Sequence, residues 1–158
     1  LQPESRMKKY SRIVFVSMNN TCMGPMAELL MKHITAHKDI EIISRGLIVL
    51  FPEPVNPKAI AVMRQKGIIL DNRTSVALTE EDISEDTLLL AIGNKEKEMI
   101  IETYDPDNLY TISEFVGDAG EMPDPYGKEM ESYMECCDVL IKWLNKVDEK
   151  LTRLENEE

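Results

Sequence analysis

A short apolar run, Arg12-Ile13-Val14-Phe15-Val16, ends abruptly in the polar stretch Ser17 to Gly24, after which Pro25 opens a helical pattern of Met26, Leu29, Leu30 and Ile34. β-Branched residues suit a pleated strand, and a proline at the start of a helix gives up only an N–H that has no partner there. The unit therefore reads strand, loop, helix, and it recurs along the chain. Ile40-Glu41-Ile42-Ile43 reads as a second strand, followed by an irregular stretch with Gly46, Pro52 and Pro54. Asn56 is placed to cap a helix that has Pro57 at its first position, buries Ile60 and Met63, and stops before Gly67. Thr79 and Asp82 form a variant capping box ahead of Leu88-Leu89-Leu90-Ala91-Ile92, whose lack of alternation fits a strand buried on both faces. Asn94 is placed to cap a helix through Met99, Ile100 and Ile101, and Leu109-Tyr110-Thr111-Ile112 reads as a fourth strand. Ser113 to Gly127 reads as a loop, and apolar residues from Met130 to Leu151 recur at helical spacing for about six turns.

Strands alternating with helices imply an α/β fold with a parallel sheet, right-handed crossovers and helices on both faces. Such folds hold ligands at the ends of their strands, so the loops 17–24, 44–56 and 113–127 are the candidates for the site. The chain has 158 residues, enough for one domain. We expect a domain over 11–154, a loose tail at 1–10 and an acidic tail at 155–158.

Charge narrows the partners. Lys and Arg total 18 against 29 Asp and Glu, a balance of −11 that repels nucleic acid and anionic membranes over most of the surface. No apolar stretch approaches the roughly 20 residues that span a bilayer, and residues 1–9 lack the apolar centre of a secretion signal, so the expected location is the cytoplasm. Cys22, Cys136 and Cys137 are odd in number and two are adjacent, which suits reduced thiols and no disulfide framework. His33 and His37 share a face of the first helix with no third ligand in view, so no metal and no cofactor is expected.

The loop 17–24 carries the chemistry. A strand emptying into a polar turn and then a helix aims backbone N–H groups and the positive end of the helix dipole at one point, where an oxyanion is favoured. The segment Val14 to Glu28 resembles the phosphate-binding loop of the low-molecular-weight protein tyrosine phosphatases, in which a cysteine, five residues and an arginine make the signature. Met122-Pro123-Asp124-Pro125-Tyr126-Gly127 resembles that family's Asp-Pro-Tyr-Gly segment, and Ser44-Arg45-Gly46, Glu53 to Ala59 and Leu78 to Ile83 fall in register. The resemblance covers about residues 11–152. It implies a three-layer αβα fold with a four-stranded parallel sheet, and hydrolysis of phosphotyrosine through a phosphocysteine.

The departures from the family pattern bear on that chemistry. The nucleophile position holds Ser17, whose hydroxyl such a loop does not bring near ionisation, whereas a cysteine thiol is readily brought there. The arginine position holds Met23, which lacks five N–H donors and the fixed charge that would steady the transferring phosphoryl group. Asn19 replaces a glycine, and Gly24 replaces the serine that orients the nucleophile. Asn20, Cys22 and Pro25 are retained. The resemblance makes Asp124 the general acid by position, with Pro125 and Tyr126 at the cleft wall, and puts Leu50 where many members have an aromatic wall. Met18, Asn19, Asn20, Thr21, Cys22 and Gly24 would surround a bound anion. Arg45, and beyond it Arg73, are the cations that could partly replace the missing clamp, and Cys22 reads as a packing residue.

The resemblance with these departures implies a family member that is catalytically impaired or inactive. It would at most bind phosphate or a phosphotyrosine-like anion, alongside a protein partner that the sequence does not name. The alternative is an active tyrosine phosphatase in which Ser17 is an engineered substitution. A more remote one is arsenate reduction, which needs the missing thiol even more.

Overall fold

The computed structural model describes residues 9–157. Four strands, β1 (Arg12–Ser17), β2 (Glu41–Gly46), β3 (Thr87–Ala91) and β4 (Leu109–Thr111), form one parallel sheet in the order β2-β1-β3-β4. β1 is a central strand, and neighbours that are not consecutive in sequence require crossovers, which the helices supply.

Alternate side chains of the central strands serve two cores. Ile13, Phe15, Leu88 and Leu90 face the larger one, while Val14, Val16, Leu89 and Ala91 face the smaller. Both faces are thus buried, which is why these strands read as continuous apolar runs. Helices α1 (Met23–Ile34), α2 (Pro57–Gln65), α4 (Ile112–Val116) and α5 (Met130–Asn156) cover the larger core, and α3 (Asn94–Thr103) covers the smaller through Ile100. The architecture is the expected three-layer αβα fold with a four-stranded parallel sheet.

Several boundaries differ from expectation for physical reasons. α1 starts at Met23, two residues before Pro25, so the polar loop is shorter than the sequence pattern implied. β2 runs on through Arg45 and Gly46, because Ser17 and Gly46 remain paired across the sheet. The stretch 113–127 opens inside a short helix: Thr111 caps it, Glu114 returns the bond to the Thr111 N–H at 2.8 Å, and Gly117 ends it at φ 73°. Gly93 and not Asn94 is the N-cap of α3, and the Asn94 amide instead donates to Glu121.

The closing helix has 27 residues, more than the six turns expected, and it extends past 154 through Glu155 and Asn156 into the presumed acidic tail. Residues 1–8 and 158 of the expected tails lie outside the described residues. Tyr10, assigned to the loose tail, belongs to the core and meets Phe115 edge-on at 6.5 Å. His37 lies beyond the end of α1 and off its face, held by Glu155 at 3.0 Å and Thr152 at 2.9 Å.

Candidate active site

β1 delivers Ser17 to the edge of the sheet, 6% exposed, and the chain then turns around its hydroxyl. The backbone N–H of Asn20 donates to Ser17 Oγ at 3.1 Å, with Asn20 in the left-handed region at φ 59°. Asparagine tolerates that conformation better than most residues. On the other side, a Cβ at Gly24 would lie 2.7 Å from Ser17 Oγ, so the glycine lets the first turn of α1 pass close behind the hydroxyl. Among the described residues, the N–H groups of Met18, Asn19, Thr21, Cys22, Met23 and Gly24 meet no acceptor. They include the orphan donors of the α1 N-terminus, whose cap residue Cys22 makes no side-chain bond.

A buried polar chain holds this turn from behind. The Asn20 side chain accepts from Val76 N at 2.9 Å and donates to Ser44 Oγ at 3.0 Å, and Ser44 in turn donates to Glu28 at 2.8 Å. Glu28 is 4% exposed and also receives Arg73 at 2.6 Å and Lys32 at 2.7 Å. Burial pushes the Glu28 carboxyl up, but the bonds from Arg73, Lys32 and Ser44 outweigh it and hold it below the usual glutamate range. Glu28 is thus ionised and fully engaged, and Arg73 is spent on Glu28 and Asp71.

The turn opens into a cavity of about 430 Å³. Loop residues Ser17, Met18, Asn19, Thr21, Cys22 and Met23 make one wall. The end of β3 and the start of α3, from Ile92 to Glu96, make another. Met122 to Tyr126 close it from above, and Asn56 and Tyr133 complete it. Asp124 is exposed, and its Oδ1 accepts from the Tyr126 N–H at 3.0 Å, so the residue both shapes its turn and faces the cavity. Burial first, then Cys136 and Asp124, pushes the Cys22 thiol up to about 12. A thiol so shifted is no nucleophile at neutral pH.

The cavity therefore unites Ser17, Met18, Asn19, Thr21, Cys22, Met23, Asp124, Pro125 and Tyr126. Asn20 and Gly24 support it from behind without lining it. Arg45, expected to border the anion, is outside: its guanidinium pairs with Asp82 at 3.3 Å and donates to its neighbour's carbonyl at 2.8 Å. Leu50 is 88% exposed and lines no part of the cavity, since the 47–51 segment turns outward after Ile48 bonds Met18 O.

Sequence reasoning missed Gly93, Lys95 and Glu96, because nothing in it revealed that β3 lies beside β1. Tyr133, on the apolar face of the closing helix, is 2% exposed and also reaches the cavity wall, where its hydroxyl accepts from Asn56 at 3.3 Å. Among the described residues, no group of three or more His, Cys, Asp or Glu could hold a metal ion, and no helix is long and apolar enough to cross a membrane.

The family model described as low molecular weight phosphotyrosine protein phosphatase matches residues 12–157. The chain belongs to that family. A protein-arginine-phosphatase of Geobacillus stearothermophilus is 33% identical over 89% of this chain and 95% of its own. The low molecular weight protein-tyrosine-phosphatase PtpB of Staphylococcus haemolyticus is 29% identical over 86% and 96%. Among solved structures, a cysteine-to-serine mutant of the YwlE arginine phosphatase, described with a phosphorylated active-site serine, is 32% identical at a TM-score of 0.81 over 90% and 99%. The Escherichia coli tyrosine phosphatase Wzb in complex with sulphate shares the fold, at 22% identity and a TM-score of 0.81 over 90% and 99%.

Within that family frame the site keeps a donor-lined turn and a carboxylate opposite it. It has neither a thiolate nor an arginine at the turn.

Proposed function

We propose that this family member is a phosphate-loop binding protein that turns over phosphate esters poorly or not at all. The observation that carries the reading is the set of N–H donors without an acceptor among the described residues, those of Met18, Asn19 and Thr21 to Gly24, in a chain with methionine at the clamp position. Backbone donors and a helix dipole suffice to hold an oxyanion at rest. Phosphoryl transfer needs more, namely stabilisation of the charge that builds in the transition state, and Met23 offers neither donors nor charge for it. The ligand class is phosphate or a phosphorylated side chain; phosphotyrosine fits the aromatic wall of Tyr126. The acidic surface disfavours nucleic acid and anionic membranes as partners, and the three free thiols fit a reducing, cytoplasmic setting.

Titrating the ¹⁵N-labelled protein with inorganic phosphate tests the binding half of this reading. Amide signals of residues 18–24 should shift saturably, while those of α2 and the far half of α5 stay in place. Uniform shifts across the surface, or none, would contradict it.

One observation favours a second reading. The phosphorylated serine described for the YwlE mutant means that a hydroxyl in that relative's loop can take a phosphoryl group. Ser17 Oγ would then form a bond to phosphorus as the aryl O–P bond breaks, the hydroxyl proton leaving with the phenol, and it would keep the phosphoryl group because a serine alkoxide is a poorer leaving group than a thiolate. Mass spectrometry after incubation with an aryl phosphate distinguishes the readings: stoichiometric phosphorylation of Ser17 supports capture, and its absence supports simple binding.

A further inference from the structure

The cavity has few charges to offer an anion. Its titratable carboxylates are Asp124 and Glu96, both unfavourable to phosphate, and the chain as a whole carries −11. Among the described residues, the one cation lining the cavity is Lys95. Among the described residues, Lys95 makes no ion pair or hydrogen bond through its side chain, unlike Arg45 and Arg73, whose guanidinium groups are already engaged.

The position of Lys95 goes against local electrostatics. It is the second residue of α3, in the first turn, where the helix dipole and the unpaired N–H groups favour an anion and disfavour a cation. Glu96 next to it obeys that rule. A lysine that breaks a local rule and has no partner to offset the cost is a residue whose use lies elsewhere. The sheet order explains what that use is: β3 is paired with β1, Ala91 opposite Val16, so the helix that follows β3 begins beside the loop that follows β1. Two helix N-termini, those of α1 and α3, thus border one cavity, and Lys95, in the first turn of the second, lines it.

Resting on the anion-binding reading above, we infer that Lys95 is the cation of this site, a flexible ammonium supplied from α3 where Met23 no longer supplies a guanidinium from the loop. The substitution changes more than the location of the charge. A lysine is a solvated point charge on a mobile stem without the planar fork that grips two phosphoryl oxygens at once. It steadies a resting dianion in the cavity mouth, and it does not hold the three equatorial oxygens of a transferring phosphoryl group in place. Lys95 is therefore a binding residue, which is consistent with retention of ligand and poor turnover. Glu96, lining the same space, repels an anion there and weakens the site, more for a dianion than for a monoanion.

The experiment measures binding of phenylphosphonate, by calorimetry or amide shifts, to the unaltered protein and to Lys95→Met, Lys95→Arg, Glu96→Gln and a charge-matched control, Lys38→Met. Lys38 is exposed beyond the C-terminal end of α1, remote from the loop at its N-terminus. Lys95→Met should weaken binding about five- to tenfold at low salt and flatten its salt dependence. Lys95→Arg should retain binding, Glu96→Gln should tighten it, and Lys38→Met should leave it within about twofold. Thermal melts establish that the variants fold. If the unaltered protein binds and Lys95→Met binds equally well with the same salt slope, the inference falls while the anion-binding reading stands. If the unaltered protein gives no binding, both fall together.

Discussion

The Asn20 side-chain amide and the Ser44 hydroxyl lie 3.0 Å apart, and through that bond the turn around Ser17 is tied to Glu28, Arg73 and the rest of the polar chain beneath it. Asn20 is 5% exposed, and it spends its donor on Ser44 and its acceptor on the Val76 N–H. The retained asparagine is thus a brace for the loop. Serine at position 17 and methionine at position 23 leave that brace intact.

Asn20→Ala should cost about 2 kcal/mol of stability, because it leaves the Val76 N–H without its acceptor and removes the bond that the Ser44 hydroxyl accepts, while that hydroxyl keeps Glu28. It should also weaken phosphate binding, since alanine is strained at φ 59°. Denaturant melts and a phosphate titration check the two effects. A variant as stable as the parent with an unchanged loop would contradict the bracing role.

Gly46→Ala should perturb the same turn from the neighbouring strand. A Cβ there would come within 2.9 Å of the Asn19 carbonyl carbon and 3.0 Å of Asn20 Cβ, and the nearer of these contacts is backbone. The expected cost is about 1–3 kcal/mol, with amide shifts concentrated in residues 18–21.

Acid should act through Glu28. Its carboxyl titrates lower in the folded chain than in the unfolded one. The stability it supplies is therefore full above the ordinary glutamate value and is lost as pH falls below it, through the lower folded value. Glu28→Gln should lower stability at pH 7 and flatten that acid limb, as measured by urea melts across pH. An acid limb as steep as the parent's would show that other carboxylates govern it.

Much of this was legible in the sequence because local signals and tertiary demands agree. The β1 run, the Pro25 helix and the Asn56-Pro57 start each follow from residue chemistry that the packing then uses, with the Asn56 side chain accepting from Lys58 N at 2.8 Å. The short helix α4 was missed although Thr111 and Glu114 spell a capping box, because the Gly, Asp and Pro residues after it dominate the segment. Lys95 was out of reach for a different reason. Its part in the cavity depends on β3 lying beside β1, and strand order is a tertiary fact that periodicity does not encode. Arg45 was misjudged for the same reason: Asp82 is distant in sequence but meets it in the fold.

The most direct test of the account compares steady-state hydrolysis of an aryl phosphate by the unaltered chain, by Ser17→Cys and by Ser17→Cys with Met23→Arg. The account predicts turnover near background for the unaltered chain, little gain for the single change, and a gain of about a thousandfold or more only when thiol and guanidinium are both restored. Turnover by the unaltered chain within about tenfold of the double variant would contradict it.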